Sequence, residues 1–427
     1  MQRNHILMVF LCMGVLSAAA SLPLSLDDAV KQGIENNLNL KKNLIDLSTA
    51  EYSTSKLWWE IFPSINASVG TSYSSRLFSG DGFEFNKDGV TNTAGLGLSL
   101  TLTAGIPYAM KSIRLAYQTQ LLSYEDARNQ LELHITKNFF SLIAERDNLA
   151  SLDYTLQLAQ RQYERDQVAF NNGLVGELAL MQSRLGLENA RFNLSAARSV
   201  YVNHVGDFLS QLGIAQDADT EFEGKIAIGK MEVDPERLIL DYLSQRPDIR
   251  NKRQEIERLE NAVKQLAYTN KAPSLRLQAE WNTRNFSPFS DTLSGSALLN
   301  IPIDPWIPGT GKYQSVRSAR EVIEKARLDL QITEDAAAIQ IRSLAANLRN
   351  SWDSIEIARL SLNVAERSYQ LTEQGFRNGT VESLKLEDAR NNLVNARQRL
   401  LQAELSYFNM ILDISAALNI NWKDFMQ

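Results

Sequence analysis

The sequence predicts a mainly α-helical chain with a β-barrel portion, built as two tandem repeats. Each repeat combines a long coiled-coil helical hairpin with a β-hairpin. Three observations carry this reading. The second half repeats the first at an offset of 206, with 22 identities over the 59 ungapped positions 156–214. Chance gives about one identity in seventeen for typical residue usage, so the chain is a duplication. Two proline-free stretches, 108–234 and 309–427, are rich in Leu, Ala, Arg, Glu and Gln, the strong helix formers. Ahead of each, the hydrophobic period switches from helical to two.

Bulk composition narrows the function classes. The 44 basic and 50 acidic residues give a net charge of −6, finely interspersed and without a basic run. Nucleic-acid binding needs clustered Lys and Arg, so that partner is excluded. Interspersed signs fit long solvated helix faces instead. Arg3 and His5 precede an apolar core over 6–16, and Ala18-Ala19-Ala20 offers a cleavage site, so residues 1–20 are expected to be an export signal. Cys12, the only cysteine, would leave with that signal, and no small-residue pattern marks it for lipidation. The mature chain would then offer no thiol for disulfides, metals or nucleophilic attack. No later segment has 18 uninterrupted apolar residues, so no transmembrane helix is expected. An exported chain of this kind is periplasmic, secreted, or inserted in an outer membrane as a β-barrel.

The first repeat is expected over 21–214. Short helices at 26–37 and 40–60 open it, and strands follow at about 64–75 and 92–104. Ala67, Val69, Thr71 and Tyr73 alternate with small and polar residues; Leu96, Leu98, Leu100 and Leu102 alternate with Gly95, Gly97, Ser99, Thr101 and Thr103. Long helices are expected at about 107–171 and 175–212. In the outgoing one, Leu149, Leu152, Leu156, Ala159, Tyr163, Asp166 and Phe170 recur in 3-4-3-4 steps, the coiled-coil period. The returning helix carries Leu187, Ala190, Leu194, Ala197, Tyr201, His204 and Phe208 in the same steps. Between them, Asn171-Asn172-Gly173 tolerates the left-handed backbone of a helix end.

A linker over 215–234 leads to the second repeat, 235–427. Asp234 reads as an N-cap with Pro235 at the first helical position, opening short helices at 235–245 and 247–270. Strands are expected at about 274–285 and 293–303, on the alternation of Leu275, Leu277, Ala279 and Trp281, then Ala297, Leu299 and Ile301. Long helices at about 312–377 and 381–418 flank the turn Arg377-Asn378-Gly379.

Segments near ten residues with one greasy face fit strands of an outer-membrane barrel, although small hairpins packed on a soluble domain share the pattern. Four strands cannot close around anything, since about eight are needed for a filled interior. An open sheet edge in lipid leaves backbone groups unpaired, so several copies must complete one sheet, and three supply twelve strands.

A tip pattern stands twice in the chain. It is Tyr163 followed by Asn172-Gly173-Leu174-Val175-Gly176-Glu177-Leu178, and Tyr369 followed by Asn378-Gly379-Thr380-Val381-Glu382-Ser383-Leu384. The second copy continues Lys385-Leu386-Glu387-Asp388-Ala389. With the duplicated order helix, helix, strand, strand, long helix, returning helix, the sequence resembles the TolC family of outer-membrane efflux proteins over essentially the whole mature chain. The resemblance implies a homotrimer in the outer membrane of a Gram-negative bacterium, with a twelve-stranded barrel in lipid and a twelve-helix tunnel in the periplasm. It would be the passive exit duct of a tripartite efflux or type I secretion system. Residues 215–234 would join an equatorial belt, and the helical tips would meet a periplasmic adaptor protein and an inner-membrane transporter. The alternative is an exported structural coiled-coil protein without a pore, but a rod has no reason to interrupt both halves with hairpins at matching places.

The resemblance also points to a pore constriction. Family members ring the periplasmic end of the tunnel with two aspartates three residues apart on the fourth helix of the second repeat. Asp388 matches one position and Lys385 occupies the other. One charge of each sign per chain is expected to weaken cation selectivity and to allow pairing between chains; a plain solvated helix face is the alternative. The first-repeat counterparts, Ala179 and Gln182, are uncharged. Gly173, Val175, Gly379 and Val381 are expected at the helical tips and at the adaptor contact. His134 is expected to be exposed, and His204 to be a packed, hydrogen-bonded seam residue rather than a metal ligand. Trp58 and Trp59 beside Pro63, and Trp306 beside Pro305, suit either an interfacial anchor or core packing. Gly309-Thr310-Gly311-Lys312 lacks the spacing of a phosphate loop. With no His pair for zinc and no nucleophile elbow, no catalytic, metal or cofactor site is expected, and the chain is not expected to be an enzyme.

Overall fold

The computed structural model describes residues 23–73, 90–214, 220–286 and 291–426. The expected export signal lies outside the described residues, as do most of the loop between the first two strands and residues 215–219 of the linker. The first repeat contains helices α1 (Leu26–Asn36) and α2 (Leu38–Ser55), strands β1 (Ser64–Tyr73) and β2 (Val90–Thr103), and long helices α3 (Ile106–Asn171) and α4 (Glu177–Leu212). The second contains α5 (Pro235–Tyr242) and α6 (Pro247–Lys271), β3 (Ser274–Arg284) and β4 (Thr292–Asn300), α7 (Gly311–Arg377) and α8 (Ser383–Leu418), then a short α9 (Trp422–Phe425). At about 1.5 Å per residue, α3 and α7 are each roughly 100 Å long.

Some boundaries differ from the sequence expectation, each for a local reason. α2 stops at Ser55 because Leu57–Ile61 wind into a 3-10 turn, closed by Phe62 N–H donating to Trp59 O at 3.1 Å ahead of Pro63. β4 ends at Asn300 rather than at 303, since Pro302 has no N–H to continue the ladder. The returning helices begin at Glu177 and Ser383, two residues later than expected, because the chain is still turning after the tip glycine.

Two compact units emerge. One comprises Met1–Asn37, Leu131–Met231 and Leu348–Leu412; the other comprises Leu38–Gln130, Glu232–Asn347 and Asp413–Gln427. In the first unit, the expected seams face inward. Ala159 of α3 packs with Leu187 and Ala190 of α4, flanked by Leu156 and Tyr163. Farther along, Ile135, Phe139 and Ile143 of α3 are buried with Phe208 and Leu212 of α4 and Phe222 of the linker, with the Phe139 and Phe222 rings 5.8 Å apart. The linker is held at both ends. Arg146 donates to Phe222 O at 2.7 Å, while the buried Tyr407 donates to Gly229 O at 2.9 Å and accepts from Met231 N at 3.0 Å. Burial raises the Tyr407 phenol above its ordinary range.

His204 corrects one expectation. It is exposed rather than packed, with Nδ1 2.9 Å from a Glu145 carboxylate oxygen. The buried stripe of α4 steps from the half-buried Tyr201 by four to Val205 rather than by three to His204, and continues at Phe208 and Leu212, so the imidazole turns outward. His134 is exposed, as expected.

In the second unit the strands form one antiparallel sheet in the order β1-β2-β3-β4, so the two β-hairpins of the duplication meet at β2 and β3. Asp234 caps α5, accepting from Glu236 N at 3.1 Å, with Pro235 at the first position as the sequence indicates. At the start of α6, Arg246 is buried and donates to Asp248 at 2.8 Å and to Gln340 of α7 at 2.9 Å. Burial works against the Asp248 carboxylate, but its hydrogen bond and charge pairing with Arg246 hold it below the usual carboxylate range.

Candidate functional site

The sheet has two unlike faces. On one, Leu98 lies between Ile65 and Ala279, Leu96 between Ala67 and Trp281, and Leu100 opposite Leu277. Leu275 and Leu277 continue it to Leu299 and Ala297 of β4. On the other, Gly97 lies between Asn66 and Glu280, Ser99 between Ser64 and Gln278, and Gln278 opposite Ser296. Leu298, opposite Arg276, is the exception on this polar face. The apolar face is exposed rather than covered: Ile65, Val69, Leu96, Leu98 and Leu293 all stand open on this single chain. A sheet that presents leucines to its surroundings on one side and hydroxyls, amides and charges on the other suits lipid outside and water inside.

The helical tips lie in the other unit. α3 ends with Gly173 at φ 71 and α7 with Gly379 at φ 73, left-handed geometry that glycine adopts without a Cβ clash. Leu174 N donates to Ala169 O at 2.8 Å and Thr380 N to Gly375 O at 2.9 Å, so the same cap closes both ends. Val175 and Val381 are half-buried behind these turns. Val381 folds back on Gly375, where an added Cβ would stand 2.6 Å from the valine Cγ2.

Lys385 and Asp388 both lie exposed on one face of α8, three residues apart. Their neighbours Glu387 and Arg390 turn the other way, into a polar cluster that sequence reading passed over. Arg390 is buried and its guanidinium meets Glu387 at 2.9 Å. On α3, Gln162 donates to the buried Asp166 at 2.9 Å and accepts from Arg165 at 2.6 Å. Tyr369 of α7 lines the same small cavity as Gln162, Arg165, Glu387 and Arg390, and burial, then the Glu373 charge, raises its phenol pKa. Gly186 of α4 makes the room. A Cβ there would stand 2.7 Å from the Glu387 carboxylate and 3.0 Å from Arg390. All four long helices therefore meet at one set of charges, which fixes how α8 is rotated and hence where Lys385 and Asp388 point. The one sequence sign was Asp166, an acid at a seam position whose counterpart is Thr372.

Comparison with known proteins agrees with this architecture. The family model described as outer membrane efflux protein matches residues 29–206 and 238–419, once per repeat. The chain is 21% identical over 417 residues to the outer membrane protein TolC of Escherichia coli (strain K12), covering 92% of this chain and 81% of the relative. Among solved structures, the Campylobacter jejuni CmeC outer membrane channel aligns with a TM-score of 0.74 at 20% identity, over 92% of this chain and 85% of that one. The Neisseria gonorrhoeae MtrE outer membrane channel, in its open state, aligns with a TM-score of 0.73 at 14% identity, over 92% and 89%. With both repeats matched and the two-faced sheet and paired long helices in place, the chain belongs to the outer membrane efflux protein family and is an outer-membrane efflux duct.

Proposed function

We propose that three copies close into one conduit, which passively carries substrate from a periplasmic adaptor and inner-membrane transporter to the exterior. The observation that carries this reading is a sheet of four strands with an apolar face, a polar face and two open edges, β1 and β4. Unpaired edges in hydrocarbon cost several kcal/mol per backbone group, and pairing β4 of each copy with β1 of the next removes them. Strand directions allow it, because alternate strands of the ring stay antiparallel.

The long helices support the same closure. On α4, Leu178, Met181, Leu185 and Phe192 are each more than half exposed, and so are Ile357, Leu360, Val364 and Leu371 on α7. Both sets follow the spacing i, i+3, i+7, i+14, a single stripe opposite the buried seam. α4 runs away from its tip and α7 toward its own, and the stripes overlap in distance from the tip, at about 5–19 residues from Gly173 and about 8–22 from Gly379. Each stripe covers about 21 Å of helix, so α4 of one copy can zip along α7 of the next.

In this assembly Lys385 and Asp388 line the periplasmic aperture, Gly173, Val175, Gly379 and Val381 form the adaptor-facing tips, and 215–234 lies in the belt around the tunnel. Residues 1–20 direct export. The duct performs no chemistry of its own, and the energy for transport comes from the pump. Conductance in planar bilayers, together with the mass of the detergent-extracted protein, tests the proposal. Discrete channel openings and a trimeric mass are expected; a monomer without conductance would favour an exported structural coiled coil.

A further inference from the structure

Both edge strands stand on an exposed collar of aromatic, aliphatic and basic side chains. Below β1, Trp58, Trp59 and Phe62 are each at least half exposed yet pack edge to face, with Trp58 5.8 Å from Trp59 and 5.4 Å from Phe62. Lys56 holds its ammonium 5.6 Å from the Tyr52 ring centre. Below β4, Ile303, Trp306 and Ile307 are exposed, and Lys271 places its ammonium 5.0 Å from the Trp306 ring centre. Among the described residues, neither lysine makes an ion pair. Asp304 is engaged by Lys312 at 3.2 Å, and Glu60, exposed in the same turn as Trp59, pairs with neither. A lysine over an aromatic ring turns only part of its ammonium to the ring face, and its remaining N–H donors can meet an anion. Exposed tryptophans at the end of a greasy strand suit the headgroup level of a bilayer.

The two half-collars lie under opposite edges of one sheet. In the closed ring proposed above, β4 of one copy runs about 4.8 Å from β1 of the next, which sets the two half-collars side by side. We infer that each seam between copies is a binding site for an anionic glycerophospholipid of the periplasmic leaflet. Lys271 of one copy and Lys56 of the next take the phosphate. Trp306, Ile303 and Ile307 on one side and Trp58 and Phe62 on the other hold the glycerol and upper acyl chains. The occupant is a lipid rather than a soluble phosphate, because the collar continues directly into the apolar face at Ile65 and Leu299. This inference rests on the trimeric reading.

Native mass spectrometry of the full-length trimer, exchanged into detergent with phosphatidylglycerol or phosphatidylcholine, separates the possibilities. Three retained phosphatidylglycerols per trimer are expected, with phosphatidylcholine held more weakly. Lys56→Gln and Lys271→Gln should each weaken binding about fivefold, and both should act on the same three sites. Lys252→Gln, whose lysine pairs with Glu255 at 3.3 Å, should leave binding unchanged. Six independent lipids, with each variant emptying only three, would overturn the shared site, as would retention that neither variant alters. A protein that never forms trimers would overturn the assembly as well, and the measured mass reports that separately from the lipid count.

Discussion

Adjacent residues of β2 should respond in opposite ways to the same substitution. Leu98 and Gly97 differ by one position and therefore by one face of the sheet. Leu98 lies five residues from the end of β2 at Thr103, about 17 Å along the strand at ~3.4 Å per residue. At a tilt of about 40° this is roughly 13 Å of height, the middle of an apolar band about 25 Å tall. Arginine at the midplane of a lipid face costs about 2–4 kcal/mol per copy, so Leu98→Arg should shift the folded-to-unfolded ratio by about thirtyfold or more. Gly97→Arg faces the polar side. Its added Cβ meets only Asn66 O, at 3.9 Å, and the guanidinium has Glu280 across the ladder. That change should cost less than about 1 kcal/mol. Urea titrations in phospholipid vesicles, with the wild-type protein alongside, would read both. Equal losses, or a larger loss for Gly97→Arg, would refute the assignment of faces and with it the barrel.

The tip invites further tests. Glu387→Gln leaves the buried Arg390 guanidinium without its anion; breaking a buried pair costs about 3–5 kcal/mol, and partial exposure of Glu387 should bring this to about 2. Faster hydrogen exchange confined to the tip-proximal parts of the four long helices is the expected signature, whereas unchanged exchange would show that the cluster does not hold the tip. With Lys385 and Asp388 at the aperture as proposed, Lys385→Asp would make its charge acidic, so the reversal potential in a salt gradient should move toward cation selectivity, and Asp388→Asn should move it the other way. Away from the tip, Asp248 supplies a pH test. Because its carboxyl is held below the ordinary range in the folded chain, its stabilising contribution is complete above the unfolded value of about 4 and is lost as pH falls through the lowered folded value. Asp248→Asn should therefore narrow its stability gap to wild type only under acid conditions, as followed by thermal unfolding from neutral pH downward.

The periodic parts of this protein were legible in its sequence. The 3-4 spacing around Ala159 and Leu187, the alternation from Leu96 to Leu102, and the glycines at 173 and 379 each record an interaction between residues close in the chain, and the structure returns them nearly residue for residue. Helix, strand and cap are set by local backbone geometry and by which side must avoid water, so a single sequence can display them. Tertiary structure decided what the repeats do to each other. Nothing local announces that Leu100 faces Leu277, that Tyr407 grips the linker at Gly229, or that Gln162, Tyr369 and Arg390 converge from three different helices. Lys385 and Asp388 were picked out by resemblance to the family, but their neighbours Glu387 and Arg390, equally charged in the string, turn inward, Arg390 buried and Glu387 half-buried, where Gly186 leaves a space on a helix some 200 residues earlier. A charge on a helix reads the same whether it faces water or a partner, and only the packing of non-neighbouring helices distinguishes the two.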